Sequence, residues 1–222
     1  MPAAIFDMDG VLIISNPAHL QAWKEYGGRH GLEISDEMYY RAFSGRRNDE
    51  GLEELFPGRF TREERLQLSE AKEAYYREHF APKLQPVPGV VELVRALADR
   101  RVPLALATSG PRENAELILR QLGLRDLFGV LVAGFDVPAA KPDPAIFLEA
   151  ARQLGTPPAE CVVFEDSPAG VEAASRAGAR CVAVTTSDRA ETLRDRGAHL
   201  VVDDFTHLDV DGLLGSNGVL PR

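Results

Sequence analysis

The sequence has little cysteine, no long apolar run and no excess of basic residues, and each absence excludes a class of protein. Only two cysteines occur in 222 residues, so the chain is not a small domain held together by disulfides. Cys161 and Cys181 each begin an apolar, β-branched run, which predicts two buried, reduced thiols without a chemical role.

Membranes and nucleic acids are poor partners for such a chain. No apolar stretch approaches the length of a bilayer-spanning helix, and only six residues precede the first motif. We therefore expect no membrane anchor, no signal peptide and a cytoplasmic location. The net charge of -9 argues against nucleic acid or an anionic membrane, because both require a concentrated basic surface. An anionic ligand would have to be bound by local groups.

What the sequence does contain is a succession of short apolar runs, most of them separated by amphipathic segments. Apolar strands that alternate with helices are typical of a parallel sheet covered on both faces. We therefore predict an α/β fold with a doubly wound, Rossmann-like parallel sheet, and the 45% hydrophobic content is enough to bury its core. The predicted strands are 2–6, 103–108, 129–134, 161–166, 181–186 and 199–204.

The first predicted strand is far from the others in the sequence, and the residues between them have helical patterns. The predicted helices are 17–30, 36–44, 48–56 and 61–79. At the start of the last helix, Thr61 and Glu64 have the spacing of a capping box. These helices predict an α-helical cap domain inserted into the sheet domain.

The expected domain boundaries follow from composition. Residues 1–14 and 84–222 form the predicted α/β catalytic core, and residues 15–83 form the predicted helical cap. The proline-rich segment 81–89 is expected to be a semi-rigid linker, and residues 215–222 are expected to be a frayed end.

Polar side chains follow four of the predicted strands, and open parallel sheets bind ligands beyond the carboxyl ends of their strands. One edge of the sheet thus collects four carboxylates, two hydroxyls and one ammonium group. These are Asp7 and Asp9, Thr108 and Ser109, Lys141 in the loop after the third strand, and Glu165 and Asp166. On an extended strand Asp7 and Asp9 point to the same side, so both could face one atom.

Each group also has a structural interpretation. An Asp-x-Asp pair at a strand end is often a turn, the Thr-Ser-Gly stretch could cap the next helix, and Lys141 could lie in a solvated turn. Ser167 and Pro168 are expected to begin a helix in either case. Because all four groups occur at predicted strand ends in this order, we favour a shared site.

A site with four carboxylates needs cations. Like charges raise each other's pKa, so these acids cannot all remain ionised in a dry site unless something neutralises them. Lys141 and a divalent metal ion would do so. Oxygen ligands favour a hard cation, and Mg2+ typically takes one or two carboxylates while keeping positions for water and a substrate phosphate. We therefore predict Mg2+ as the cofactor.

These segments resemble the four motifs of the haloacid dehalogenase-like phosphohydrolases, in the branch with a helical cap after the first strand. The matching segments are FDMDGVL (6–12), LATSG (106–110), AAKPDPAIF (139–147) and VFEDSPAGVEAA (163–174). The resemblance extends to about residue 206. Within this branch the sequence is similar to β-phosphoglucomutases and sugar-phosphate phosphatases, which share the EDSxxG form of the fourth motif.

The resemblance implies a two-step phosphoryl transfer. Asp7 would attack phosphorus to form an aspartyl-phosphate, and Asp9 would protonate the leaving alkoxide and then activate the hydrolytic water. The implied Mg2+ site consists of Asp7, the Asp9 backbone carbonyl and Asp166, with Glu165 as a ligand or supporting partner. The implied phosphate site consists of Thr108, the Ser109 amide and Lys141.

The resemblance also implies that the cap closes over this edge of the sheet and contacts the leaving group. The candidate contacts are His19, the loop residues Gly45, Arg46, Arg47 and Asn48, and Arg112 beside the second motif. Arginine suits bidentate recognition of phosphate or hydroxyl groups, although surface arginines and a histidine at a helix start are often only solvated.

Two departures from the family pattern bear on the hinge and on the reaction. Ile14 and Ser15 stand where relatives usually have Asp-Ser or Asp-Thr, which leaves Ser15 able to meet Asp9 in an open state. The mutases carry Ser-Lys-Asn-type residues after the second motif to hold a second phosphate. Here residues 110–114 are GPREN, and although Arg112 could substitute, the pattern is closer to that of a phosphatase.

The resulting prediction is a magnesium-dependent phosphatase for a small phosphorylated metabolite, a sugar or polyol phosphate, acting as a monomer or weak homo-oligomer. A β-phosphoglucomutase-like isomerase is the main alternative. A haloacid dehalogenase would use the same nucleophile without Mg2+, and the pairing of Asp9 with Asp166 argues against it. From another class, a signalling module could accept phosphate on an aspartate without turnover, but there the acid lies on a middle strand of a shorter domain.

Overall fold

The computed structural model describes residues 2–214, and in this part of the chain a six-stranded, fully parallel sheet forms the centre of the fold. The strands are β1 (Ala3–Phe6), β2 (Leu104–Ala107), β3 (Val130–Val132), β4 (Cys161–Glu165), β5 (Arg180–Val184) and β6 (Leu200–Val202). Their spatial order is β3-β2-β1-β4-β5-β6. All six predicted strands are present, and the predicted doubly wound α/β fold is confirmed. The tail 215–222 lies outside the described residues.

Helices precede or follow every strand. They are α1 (Asn16–Ala22), α2 (Asp36–Ala42), α3 (Asn48–Leu55), α4 (Arg62–His79), α5 (Val90–Asp99), α6 (Arg112–Gln121), α7 (Ala145–Leu154), α8 (Pro168–Arg176), α9 (Ala190–Asp195) and α10 (Val210–Leu214). Among the helices described, none has both the length and the apolar character that crossing a bilayer requires.

The first four helices lie between β1 and β2 in the sequence and match the four predicted ones. The first, α1, runs into a π-helical turn at Trp23–Gly27, so the predicted helix 17–30 is one helical segment with a wider turn at its centre. The capping box at the start of α4 is confirmed: Thr61 Oγ1 accepts from the Glu64 amide, and the Glu64 carboxylate accepts from the Thr61 amide.

The two faces of the sheet carry separate apolar cores because successive strand residues point to opposite sides. On β1, Ala4 and Phe6 join the core under α5 and α6, whereas Ala3 and Ile5 join the core under α7 and α8. All four side chains are almost fully buried. Burial on both faces explains why the strands read as continuous apolar runs.

The helices α1 to α3 pack around a third apolar core. Trp23 is fully buried there and stacks on Phe43, with ring centroids 4.6 Å apart. Leu32, Tyr39 and Leu52 complete its centre. This helical unit therefore has its own packing, distinct from that of the sheet.

The two cysteines lie on adjacent strands under α7 and α8, and both are buried as predicted. Burial, with the nearby charge of Glu160, raises the pKa of the Cys161 thiol to about 11. Burial also raises the pKa of Cys181. Neither thiol is therefore in its reactive thiolate form near neutral pH.

Candidate active site

The register between β1 and β4 brings acidic residues side by side at the carboxyl edge of the sheet. Phe6 pairs with Phe164, and their rings stack with centroids 4.3 Å apart. The residue after each phenylalanine is an acid, Asp7 on one strand and Glu165 on the other, and Asp166 follows. One oxygen from each of the three buried carboxylates lies within 4.8 Å of the others. These are three of the four predicted acids.

Lys141 supplies the cation within this cluster. Its Nζ donates to Asp7 Oδ1 at 2.8 Å and to Glu165 Oε1 at 2.5 Å, and the residue is only 1% exposed. Burial disfavours the charged ammonium, but attraction to both carboxylates outweighs it and raises the pKa of Lys141. The alternative of a solvated lysine in a turn is therefore wrong, and Lys141 is a permanent positive charge.

One ammonium does not balance three buried carboxylates. Burial, with the charges of Glu165 and Asp9, raises the pKa of Asp7 to about 7 despite the opposing effect of Lys141. Burial and the charges of Glu165 and Asp7 raise the pKa of Asp166 well above its usual range. A further cation would relieve this repulsion, and the set of carboxylate oxygens fits a hard divalent ion.

The hydrogen bonds distinguish the carboxylates that could hold an ion from the one that cannot easily do so. Glu165 Oε2 accepts from the backbone amides of Asp166 and Ser167 at 2.8 and 2.9 Å and from Ser167 Oγ at 3.0 Å, and Oε1 accepts from Lys141. Asp166 instead receives its donors on Oδ2, which leaves Oδ1 for a cation. The geometry favours Asp7 and Asp166 as ligands and Glu165 as a support for Lys141 and the loop.

Asp9 lies in a tight loop beyond β1, not on the strand. β1 ends at Phe6, so neither Asp7 nor Asp9 is part of the strand. The pleat of a strand, which was the predicted reason for both acids to point to the same side, is therefore wrong as the explanation. The loop instead closes through the Gly10 amide, which donates to the Ile13 carbonyl at 2.8 Å. Gly10 has φ of +77°, and a Cβ there would collide with the Asp166 carboxylate. Both Asp7 and Asp9 nevertheless line the same cavity.

Two residues at the start of α1 contact the Asp9 carboxylate: Ser15, just before the helix, and His19, within it. Oδ1 accepts from Ser15 Oγ at 2.6 Å and contacts His19 Nε2 at 3.1 Å. Burial raises the pKa of Asp9, but the attraction of His19 and the hydrogen bonds from His19 and Ser15 outweigh it and lower the pKa. In this arrangement Asp9 is a carboxylate, the form that accepts a proton. The contact between Ser15 and Asp9 is thus present, although the prediction placed it in an open state and the loop at Gly45 here touches the sheet domain.

His19 is buried and connects Asp9 to α4. Its Nδ1 lies 2.7 Å from Lys72 Nζ, and its ring stacks on Tyr76 with centroids 3.8 Å apart. Asp9 and Lys72 thus contact the two ring nitrogens of His19 and hold the ring in place. His19 is therefore a member of the site and not a solvated residue.

The segment after β2 contributes to the cavity and does not cap the next helix. Thr108 is buried, and its Oγ1 accepts from the Gly110 amide at 3.0 Å. Ser109 Oγ donates to the Gly45 carbonyl in the loop before α3, at 2.8 Å. Helix α6 begins after Pro111 without a side-chain cap, so the alternative of a capping Thr-Ser-Gly stretch is wrong. The other capping prediction holds, because Ser167 Oγ accepts from the Gly170 amide at the start of α8.

A cavity of about 470 Å3 lies between the edge of the sheet and the helical unit. It is lined by Asp7 and Asp9 after β1, by the segment 108–111 after β2, and by His19. All four predicted loop residues also line it: Gly45, Arg46, Arg47 and Asn48. Gly45 comes so close to the sheet that a Cβ there would lie 2.2 Å from Ser167 Oγ. The loop thus rests directly on the start of α8.

The two arginines of this loop already have partners. Arg46 donates to Glu54 at 2.5 Å. Arg47 pairs with Glu50 at 2.8 Å, and its guanidinium lies 5.0 Å from the ring centroid of Phe135 in the loop after β3. They form one wall of the cavity while held by acids of α3.

Arg112 does not line the cavity. Its guanidinium donates to the Leu131 carbonyl at 3.1 Å and to Asp136 Oδ2 at 2.5 Å, so it ties α6 to the end of β3. Pro111 and Glu113 line the cavity on either side of it. Arg112 thus has protein partners in this arrangement, and the expected contact of Arg112 with substrate stays a prediction.

Sequence reasoning missed several polar residues of the cavity. Lys72 and Glu73 are buried on α4, and Asn16 and Tyr39 are buried at the junction of the helical unit and the sheet. A signal for the first pair exists: the buried positions of α4 are Ser69, Lys72, Glu73 and Tyr76, a helical stripe that is polar. Such a stripe indicates a face turned to a polar cavity.

Comparison with known proteins shows which family the chain matches and which enzymes it is similar to. The family model described as haloacid dehalogenase-like hydrolase matches residues 1–178. The sequence is 38% identical to the validoxylamine A 7'-phosphate phosphatase of Streptomyces hygroscopicus subsp. limoneus, over 92% of this chain and 94% of that one. It is 37% identical to the phosphorylated carbohydrates phosphatase of Thermotoga maritima, over 80% and 82%.

The relatives also include an isomerase. The sequence is 34% identical to the β-phosphoglucomutase of Bacillus subtilis, over 83% of each chain. Among solved structures, a hydrolase from Pseudomonas syringae superposes with a TM-score of 0.85 at 31% identity, covering 94% of this chain and 96% of that one.

Proposed function

The chain belongs to the haloacid dehalogenase-like hydrolase family, in which several of its relatives are phosphatases of phosphorylated metabolites, and from this premise we propose a magnesium-dependent phosphatase that forms an aspartyl-phosphate. The proposed substrate is a sugar or polyol phosphate, and the proposed setting is the cytoplasm, as a monomer or weak homo-oligomer. One observation carries the proposal: Lys141 bridges Asp7 and Glu165 beside Asp166, and Asp7 also lines the cavity between the edge of the sheet and the helices.

Asp7 is the proposed nucleophile. Lys141 holds Oδ1, so Oδ2 is the oxygen that can attack phosphorus. A bond forms between this oxygen and phosphorus while the ester bond to the leaving oxygen breaks, and water later cleaves the aspartyl-phosphate. Phosphoryl transfer needs positioning and positive charge more than covalent invention, and the bridge through Lys141 supplies both.

Asp9 is the proposed acid and base. It lines the same cavity as Asp7 and bonds to Ser15 and His19, which hold its carboxylate in one place. In the first step it would give a proton to the leaving alkoxide, and in the second it would take a proton from the hydrolytic water. The lowered pKa of Asp9 favours the second role in this arrangement.

The phosphoryl oxygens need donors. We assign three donors to the phosphoryl oxygens: Thr108 Oγ1, the Ser109 amide and Lys141 Nζ. All three belong to segments at the same edge of the sheet as Asp7. Asp7 and Asp166 would hold Mg2+ together with the Asp9 backbone carbonyl, with Glu165 as the support. When bound, Mg2+ supplies positive charge beside the transferring group.

Residues 15–83 are the proposed cap. Its loop residues Gly45 to Asn48, with His19, would exclude water and contact the leaving group. The contact between Ser109 Oγ and the Gly45 carbonyl joins cap and core at 2.8 Å and supports a closed arrangement. Exclusion of water protects the intermediate from uncontrolled hydrolysis.

The test is phosphate release from a panel of sugar and polyol phosphates by the purified chain. We expect inorganic phosphate from at least one of them, loss of release in a chelator and recovery when Mg2+ is restored. Rates unaltered by the chelator would exclude the metal, and a panel without any turnover would contradict the phosphatase.

A phosphosugar mutase is the second candidate, because a β-phosphoglucomutase is among the relatives. The pairing of Arg112 with Asp136 argues against it, since no arginine is then presented for a second phosphate from that position. Interconversion of glucose phosphates without phosphate release would favour the mutase. A single turnover that stops at a stable phosphoprotein would favour the signalling module.

A further inference from the structure

Asn16 lies where the chain leaves the sheet and enters α1, and its buried carboxamide bonds in two directions. Its Nδ2 donates to Asp166 Oδ2 at 3.2 Å and to Ser187 Oγ at 2.5 Å. Its Oδ1 accepts from the hydroxyl of Tyr39, on α2 of the helical unit, at 2.8 Å. The side chain thus connects the acidic cluster to the helices above it.

The chemistry of the partners fixes the direction of each bond. In the ionised form that would bind a metal ion, the Asp166 carboxylate can only accept, so the amide nitrogen of Asn16 faces it and the carbonyl oxygen faces Tyr39. Burial, with the nearby charge of Asp9, raises the pKa of Tyr39 well above its usual range, so its hydroxyl remains a neutral donor. Both N–H groups and the carbonyl oxygen of the Asn16 carboxamide therefore have a partner.

These donors orient Asp166. Asn16 and Ser187 both donate to Oδ2, whereas the single hydroxyl hydrogen of Thr186 goes to the Gly10 carbonyl at 2.6 Å and leaves its oxygen 3.4 Å from Oδ2. A rotation of the carboxylate would break the bonds from Asn16 and Ser187 at once, so these donors hold its orientation and leave Oδ1 without a hydrogen-bond donor among the described residues. Tyr39 contributes to this orientation through Asn16 and without touching the cluster of Asp7, Glu165 and Asp166.

We propose that Asn16 and Tyr39 are positioning residues through which the helical unit sets the affinity of Asp166 for Mg2+. This inference rests on the proposed function, since it takes Mg2+ as the ion. When the unit lies in the observed position, Tyr39 holds Asn16 and Asn16 holds Asp166 in the orientation that binds the ion. Because such coupling is reciprocal, Mg2+ binding also favours the closed position of the helices.

The experiment measures Mg2+ binding to the full chain by isothermal titration calorimetry, without substrate. Tyr39→Phe removes one hydroxyl that touches no proposed ligand, and we expect the dissociation constant for Mg2+ to rise about fivefold. Asn16→Ala removes the bridge itself, and we expect a rise of about tenfold or more. The matched control is Tyr40→Phe, which removes a hydroxyl from the neighbouring, 44% exposed position of the same helix and should leave the constant unchanged.

A second readout separates positioning from general damage. The Mg2+ concentration that gives half-maximal phosphate release should rise in Tyr39→Phe by the same factor as the dissociation constant. A folded Tyr39→Phe protein with the Mg2+ affinity of the wild type overturns the inference, as does lost activity with unchanged affinity. If Asn16→Ala does not fold, Tyr39→Phe decides alone. If the wild type binds Mg2+ and releases phosphate while Tyr39→Phe keeps its Mg2+ affinity, only this inference fails. If the wild type neither binds Mg2+ nor releases phosphate, the proposed function fails and the inference fails with it.

Discussion

Asp7 combines burial, a like-charged neighbourhood and a single ion pair on one carboxyl group. It is 3% exposed, one of its oxygens is held by Lys141, and the residue lines the cavity. Removing a charged partner from a buried pair leaves an uncompensated charge, which is why Lys141 and Glu165 act together as a frame for Asp7. The proposed attack on phosphorus therefore depends on one atom, the Asp7 oxygen that Lys141 does not hold.

We predict that Asp7→Asn lowers kcat for phosphate release by at least about 10³-fold, because an amide oxygen cannot form the phosphoryl intermediate. The side chain keeps its shape and its acceptor for Lys141, so the circular dichroism spectrum should remain that of the wild type. Asp126→Asn, which changes an exposed acid, is the control. Near-normal turnover in Asp7→Asn would show that another group attacks phosphorus.

One face of helix α4 is buried against the site, and the opposite face is exposed to solvent. It is 18 residues long, and its buried stripe is polar where it faces the cavity, so apolar packing contributes little along that side. Its start is instead fixed by the reciprocal hydrogen bonds of Thr61 and Glu64. The position of Lys72 beneath His19 depends on where this helix begins and on how it is held.

We predict that Thr61→Ala lowers the free energy of unfolding by about 1 kcal/mol, because it leaves the first amides of α4 without their acceptor. Urea denaturation followed by circular dichroism measures the loss. Gln67→Ala, at an exposed position of the same helix, is the control and should change the free energy far less. Equal losses in both variants would mean that the capping box does not anchor the helix.

Glu73 joins parts of the molecule that are distant in the sequence. It accepts from Lys72 at 2.8 Å, from Asn48 on α3 at 2.6 Å, and from Asn114 on α6 at 2.6 Å, so it links the helical unit to the sheet. Burial raises the pKa of Glu73, but attraction to Lys72 and His19, with hydrogen bonds from Lys72 and Asn114, lowers it to about 2.

This pKa gives a direction for the effect of acid on stability. A carboxylate whose pKa is about 2 when folded and 4.5 when exposed stabilises the fold fully above the exposed value, and the contribution is lost as pH falls toward the folded value. We predict that Glu73 contributes on the order of 3 kcal/mol, which is lost as pH falls from about 5 to about 2. The difference in unfolding free energy between the wild type and Glu73→Gln should shrink over this range.

Urea denaturation at each pH measures that difference. Glu113→Gln is the matched control, because Glu113 is an exposed acid on α6 that also lines the cavity. If the wild type and Glu73→Gln lose stability in parallel as pH falls, Glu73 is not the group that links the two parts.

Much of the fold could be predicted from local patterns, and the part of the site made by consecutive residues could be too. The apolar runs identified all six strands because both faces of the sheet are buried, and Thr61 with Glu64 identified the start of α4. The contact of Lys72 with His19 could not be predicted, since 53 residues separate them and no spacing rule relates two helices of different lengths.

By itself the sequence determined which chemistry is available: its strand ends carry carboxylates, hydroxyls and a lysine, and a parallel sheet necessarily gathers its strand ends at one edge. Tertiary structure alone decided how each group is used. It turned Arg112 to Asp136, attached Asp9 to Ser15 and His19, and placed Asn16 between Asp166 and Tyr39. The reason is physical: a strand fixes the direction of its own end, whereas a buried polar side chain takes whichever partners the packing of distant helices brings within hydrogen-bond reach.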